Sequence, residues 1–161
     1  NIHREHAIQI LLEFYQYMTN KDIKMWPMFG TLLGIFRGDD LIPHDGDLDF
    51  GYLAEQQTDC LMALESLHKN NGYRVVRNHG YDLFSVHKDS VLIDLYRYDT
   101  NKEKKTLLQG SRGAYNILFD EAFPFGCISF RGRELNCIHN PKAFFERYYG
   151  HDWHTPRDYR N

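Results

Sequence analysis

The stretch from Gly30 to Asp49 reads GTLLGIFRGDDLIPHDGDLD and holds the side chains best suited to chemistry. Asp45, Asp47 and Asp49 are spaced two apart. In an extended strand, residues two apart point to one face. Carboxylates sharing a face repel one another, and a bound cation relieves that repulsion. Gly30 and Thr31 stand upstream at an expected helix start, where unpaired backbone N–H groups can hold a phosphate. Carboxylates beside a phosphate cradle suggest a divalent metal and a nucleotide-like ligand. Asp47 and Asp49 are the first choice as ligands for Mg²⁺ or Mn²⁺, because a hard cation takes a few carboxylates and completes its shell from phosphate oxygens. Asp94 fits as a third. It interrupts the apolar run VLIDLY, and a lone buried carboxylate is costly without a partner.

Each residue also has a plainer reading. Asp94 could cap a turn or pair with Arg97. Asp47 and Asp49 could belong to a solvated acidic loop. A calcium loop is excluded, since counting from Asp45 puts Phe50 and Gln56 where that loop needs Gly and Glu. The Gly30–Thr31 pair is a weak signal alone and gains weight only from the acids that follow it. Arg37 closes the same expected helix; it could reach a phosphate as a fork donor or pair with Asp39 or Asp40 on the surface. His44, beside the acids, could serve as an acid–base group or hold structure. His139, His151 and His154 have no metal-ligand spacing and stay unassigned.

These residues need a rigid frame, and 161 residues suffice for one domain with a real core. Aromatic residues make up 15% of the chain, with 11 Tyr and 11 Phe, which argues for order rather than disorder. A formal net charge of -3 excludes a general nucleic-acid binder. No apolar run is long enough to span a membrane, and no segment reads as a signal peptide. A cytoplasmic protein, at most peripheral to a membrane, is expected. The chain begins with Asn1 rather than Met, which fits a domain excised from a longer protein. Cys60, Cys127 and Cys137 are an odd set without C-x-x-C spacing, read as buried free thiols in a reducing compartment.

The apolar spacing of Ile8, Leu11, Leu12, Tyr15 and Met18 predicts a helix over residues 2–18, ending near Asn20. A short buried strand is expected over 23–29, although its Pro27 argues against it. A helix over 31–36, a turn over 38–43 and a strand over 46–52 follow. Residues 55–70 read as a helix closed by Asn71–Gly72. Strands are expected over 73–77, 83–87 and 91–98, then a polar loop over 101–105. Residues 111–120 are ambiguous. A hairpin is expected from 125–130 and 134–138 around Arg131–Gly132. Asn140 and Pro141 are an N-cap and first residue of a last helix running to Tyr149. Tyr148, Tyr149 and Trp153 are expected to pack that helix onto the core, with stacking on a sugar as the other reading.

The pattern G-T-L-L-G-x-x-R followed by I-P-x-D-x-D-x-D resembles the signature of LicD proteins, relatives of fukutin and fukutin-related protein. Asn140–Pro141 and the closing Tyr149–Gly150, Trp153 and Pro156 resemble that family's last motif, so the likeness runs from about Trp26 to Pro156. It implies an α/β (α+β) fold, a nucleotidyltransferase-like mixed sheet flanked by helices. It also implies a metal-dependent transfer of a phospho-alcohol, such as phosphocholine or ribitol phosphate, from a CDP-linked donor onto an oligo- or polysaccharide. Carried over by position, Gly30 and Thr31 match the GT motif, Arg37 the motif arginine, Asp47 and Asp49 the metal pair, and Asp94 the later strand carboxylate. Two positions depart from the pattern: His44 replaces a usual Trp, and Gly46 replaces a frequent middle acid. Both alter the wall of the pocket, so the donor alcohol stays open.

Two competing functions remain at this level. The same fold could transfer a nucleoside monophosphate from a triphosphate. Alternatively, the domain could bind nucleotide or glycan without catalysis inside a surface-polysaccharide protein.

Overall fold

The computed structural model describes residues 2–43, 47–78, 82–110 and 115–156. Helix α1 (Ile2–Asn20) buries the expected stripe: Ile8, Leu11, Tyr15 and Met18, joined by Phe14. Among the described residues, strand β1 (Met25–Pro27) pairs only with β2 (Asp47–Leu53). Its edge position is where a residue without an N–H is tolerated, so Pro27 does not abolish the strand. Between them lies α2 (Phe29–Gly38), which starts two residues before the expected Thr31. The earlier start comes from Phe29, whose φ of +51° turns the chain from the extended Met28 directly into the helix.

A 3₁₀ turn (Ala54–Gln56) leads into α3 (Gln57–Asn71), which ends at Gly72 with φ +71°, a left-handed cap. Strands β3 (Arg74–Asn78), β4 (Leu83–Lys88) and β5 (Val91–Asn101) follow. The strands β6 (Thr106–Gln109) and β7 (Ile117–Leu118) and the short helix α4 (Phe119–Ala122) were not expected from the sequence pattern. They resolve residues 117–120 of the ambiguous stretch; 111–114 lie outside the described residues. The hairpin β8 (Gly126–Phe130) and β9 (Arg133–Cys137) turns at Arg131–Gly132 as expected. In α5 (Pro141–Tyr149) the Asn140 side chain accepts a hydrogen bond from the Ala143 N–H at 3.1 Å.

Among the described residues the main sheet has the order β1-β2-β5-β4-β3, with β6 and β7 continuing from the far half of β5. The β2–β5 pair is parallel, and the other pairs are antiparallel. The fold is therefore the expected mixed sheet with helices.

Alternation along the strands sorts the residues to two faces. One face presents Leu48, Phe50 and Tyr52 of β2, Ile93 and Leu95 of β5, and Phe84 and Val86 of β4. All are buried against α1 and α3. Each such side chain contributes ~1.5–3 kcal/mol by leaving water. The other face carries Asp47, Asp49 and Gly51 of β2, Asp94, Tyr96 and Tyr98 of β5, and Ser85 and His87 of β4. A second core, with Trp26, Phe29, Leu32, Tyr98, Phe144 and Phe145, fastens α2 and α5 to that side.

Two glycines are required by close approach. A Cβ on Gly51 would meet the indole of its cross-strand partner Trp26 at 2.7 Å. A Cβ on Gly34 would meet the Asp40 carbonyl oxygen at 2.6 Å, so the segment after α2 could not fold back along it.

Two of the three free thiols are buried as expected, and one is not. Cys60 and Cys137 are buried, and burial pushes each up to about 12. Cys127 is exposed, because it lies on the outer face of the β8–β9 hairpin. No helix among the described residues is long and apolar enough to cross a membrane.

Candidate functional site

The parallel pairing of β2 and β5 sets Asp49 directly opposite Asp94. Asp47 lies two residues before Asp49, so all three acids belong to one face. The next strand continues the row, since Ser85 of β4 is the register partner of Asp94 on its other side. The Ser85 hydroxyl donates to Asp94 Oδ1 at 2.7 Å. Asp94 is half-buried. Burial is the main cause that pushes its carboxyl above the usual range; the Asp47 charge adds to the rise, while Ser85 and His87 oppose it. The neighbouring Tyr96 phenol is likewise pushed up, first by burial and then by Asp49, Asp94, Tyr115 and Asp47.

The N-terminus of α2 is fastened to this row. The Met28 N–H donates to the Asp49 carbonyl at 2.9 Å, and the Asp49 N–H donates to Thr31 Oγ1 at 2.9 Å. Thr31 is 1% exposed. Its hydroxyl therefore fastens the acidic strand to the helix start, where backbone N–H groups of the first turn could hold an anion. The left-handed Phe29 that precedes them is a rare conformation for a bulky residue. Its ring is ringed by Tyr96 and Tyr115, each at 5.2 Å between centroids, and by Tyr148 at 5.6 Å. Asp49 raises the Tyr148 phenol as well, after burial and Tyr115, so this aromatic wall flanks the acids.

Arg37 lies near the other end of α2. It is two helical turns from Gly30, on the order of 10 Å along the axis, and its Nη1 donates to the Trp153 carbonyl at 3.1 Å. Nor do its expected surface partners take it up. Asp40 pairs with Arg4 at 3.6 Å and Arg131 at 3.0 Å, and Arg131 also holds the Asp39 carbonyl. The alternative pairing of Asp94 with Arg97 also fails, because Arg97 faces the opposite side of the sheet and pairs with Asp82 and Asp99, each at 3.2 Å. His44, Asp45 and Gly46 lie outside the described residues. His139 bonds through its backbone to Ala122, His151 pairs with Glu146 at 2.8 Å, and His154 packs on Trp153.

Among the described residues, no three His, Cys, Asp or Glu side chains are gathered tightly enough to cage a metal alone. The donors present are carboxylate oxygens, the type that suits a hard divalent ion. Such an ion usually takes one or two carboxylates and leaves its other positions to water and substrate phosphate. Sequence reasoning missed Ser85, His87, Tyr96 and Tyr115, and singled out Tyr148 without placing it beside the acids. For the first three, the only available signal was their parity with Asp94 once the strands were paired.

Comparison with known proteins adds to this geometry. The family model for the LicD/FKTN/FKRP nucleotidyltransferase domain matches residues 22–140. An uncharacterized protein of Rickettsia typhi is 33% identical over 104 residues, covering 56% of this chain and 33% of that protein. An uncharacterized protein of Rickettsia prowazekii is 30% identical over 88 residues, covering 50% of this chain and 33% of that protein. The chain thus spans about a third of the length of the curated relatives it matches. Among solved structures, the lincosamide antibiotic adenylyltransferase LnuA bound to lincomycin superposes with a TM-score of 0.57 at 17% identity, covering 83% of this chain and 79% of the other. The antibiotic-resistance factor ANT(2'')-Ia in complex with adenylyl-2''-tobramycin gives 0.56 at 17% identity, covering 92% and 79%. At these identities the likeness is one of fold.

Proposed function

The chain belongs to the LicD/FKTN/FKRP nucleotidyltransferase-domain family, and from that premise we propose that it transfers a phospho-alcohol from a CDP-linked donor to a hydroxyl of an oligo- or polysaccharide. The observation that carries the proposal is the register pair Asp49–Asp94, with Asp47 on the same sheet face and the α2 N-terminus fastened beside it.

Asp47, Asp49 and Asp94 would hold Mg²⁺ or Mn²⁺, which when bound neutralises phosphate charge. The backbone N–H groups at Gly30 and Thr31 would take a donor phosphate oxygen. The acceptor oxygen forms a bond to the phosphorus that carries the alcohol. The bond from that phosphorus to the bridging oxygen breaks, and CMP departs. Asp94, beside the ion, would orient the acceptor hydroxyl, whose proton passes to solvent as the bond to phosphorus forms. The wall of Tyr96, Tyr115 and Tyr148 would contact the transferred alcohol.

The test is product identity. CDP-choline, CDP-ribitol and CDP-glycerol are supplied with Mg²⁺ or Mn²⁺ and a candidate glycan, and CMP release is followed. The adenylyltransferase names among the structural neighbours favour a second reading, nucleotidyl transfer. Pyrophosphate release from a nucleoside triphosphate, with no CMP from any CDP compound, would replace the first reading by the second. Binding without either product would leave a non-catalytic module.

A further inference from the structure

We propose that Ser85 is a positioning residue of the carboxylate row, holding Asp94 in the orientation needed to take up a divalent ion. The inference rests on the reading of Asp47, Asp49 and Asp94 as the ion's ligands. Three observations carry it. Ser85 is the register partner of Asp94 on β4, as Asp49 is on β2, so the hydroxyl and two carboxylates lie in one row across three strands. Its hydroxyl donates to Asp94 Oδ1 at 2.7 Å, an ordinary length for a well-formed O–H···O hydrogen bond. Its strand neighbours Phe84 and Val86 are buried under the helices, so Ser85 contributes to the open face and not to that core.

An Asp side chain rotates about a broad terminal torsion. Asp94 faces two like charges, and left to itself it would turn away from them. A donor fixed on a rigid strand holds one carboxylate oxygen in place while the remaining lone pairs stay available to a ligand. Outer partners of this kind typically change metal affinity by about 10–100-fold when removed.

The experiment measures Mn²⁺ binding by the loss of the free-ion paramagnetic resonance signal, on wild type, Ser85→Ala, Ser85→Thr and Asp49→Asn. Melting temperatures are taken in metal-free buffer. Ser85→Ala is expected to bind Mn²⁺ about tenfold more weakly with a metal-free melting temperature close to wild type, and Ser85→Thr is expected to restore the affinity. Wild-type affinity in Ser85→Ala, with binding lost in Asp49→Asn, overturns the role of Ser85 and leaves the carboxylate site standing. Weaker binding in Ser85→Ala that merely tracks a smaller folded fraction overturns it too. A folded wild type that takes up no Mn²⁺ overturns the site itself and this inference with it.

Discussion

Thr31 Oγ1 accepts the backbone N–H of Asp49 at 2.9 Å, across a gap between a helix start and the middle of a strand. The threonine of the Gly-Thr pair thus fastens the acidic strand to the helix start. Thr31→Val keeps the shape and leaves the Asp49 N–H without that acceptor. It should cost about 1–3 kcal/mol of stability and lower turnover per folded molecule, while Thr31→Ser recovers most of both. Denaturant midpoints alongside kcat decide it; a valine variant as active and stable as wild type would contradict the assignment.

Asp47→Asn and Asp49→Asn should abolish turnover and leave the fold intact. Each removes one charge from a repelling set, so metal-free stability should hold or rise. Full activity in either variant, or in wild type after exhaustive chelation, would count against the ion-dependent reading.

Asp94 predicts a pH dependence whose sign follows from its raised pKa. The folded state binds the proton more readily than the unfolded chain, so stability falls as pH climbs from the ordinary carboxylate value of 3.8 through the raised one. Asp94→Asn carries no such charge. In metal-free buffer it should melt above wild type at neutral pH, and the difference should vanish under acid conditions. A gap independent of pH would show that Asp94 is not the source.

Arg37→Ala should release the Trp153 clasp and lower stability by about 1–2 kcal/mol, with the KM for the donor unchanged. A stable variant with a raised donor KM would return Arg37 to the phosphate.

Gly51→Ala would drive a methyl into the indole of Trp26. Trp26 is fully buried, so the ring cannot swing aside, and overpacking of this kind costs about 1–3 kcal/mol. The emission of Trp26 should shift as its packing changes; an unshifted spectrum and an unchanged melt would refute the contact.

The legible parts of this chain are those where one residue type has one job. Asp94 stood out as an acid in an apolar run, and Asn140–Pro141 and Asn71–Gly72 marked helix ends by local chemistry. The obscure parts depend on partners far along the chain. The segment TLLQ of β6 shows no alternation, and its strand character comes from pairing with the end of β5. Ser85 is an ordinary strand serine until β4 is set beside β5. The start of α2 was hidden because Met28 and Phe29 read as the end of a buried strand, and a left-handed phenylalanine has no sequence signature. Arg37 was legible as a motif residue, but its attachment to Trp153 lies at the other end of the chain.

A one-residue slip of β5 between β2 and β4 would turn Asp94 down among Phe50, Phe84 and Val86 and lift Ile93 and Leu95 onto the open face. An ionised carboxylate in such a layer is far costlier than a neutral polar group. A wholly apolar strand at this place would be nearly indifferent between the two alignments. Asp94 therefore acts as a proofreader of assembly: the charge that strains the correctly paired sheet penalises its nearest mispaired neighbour far more.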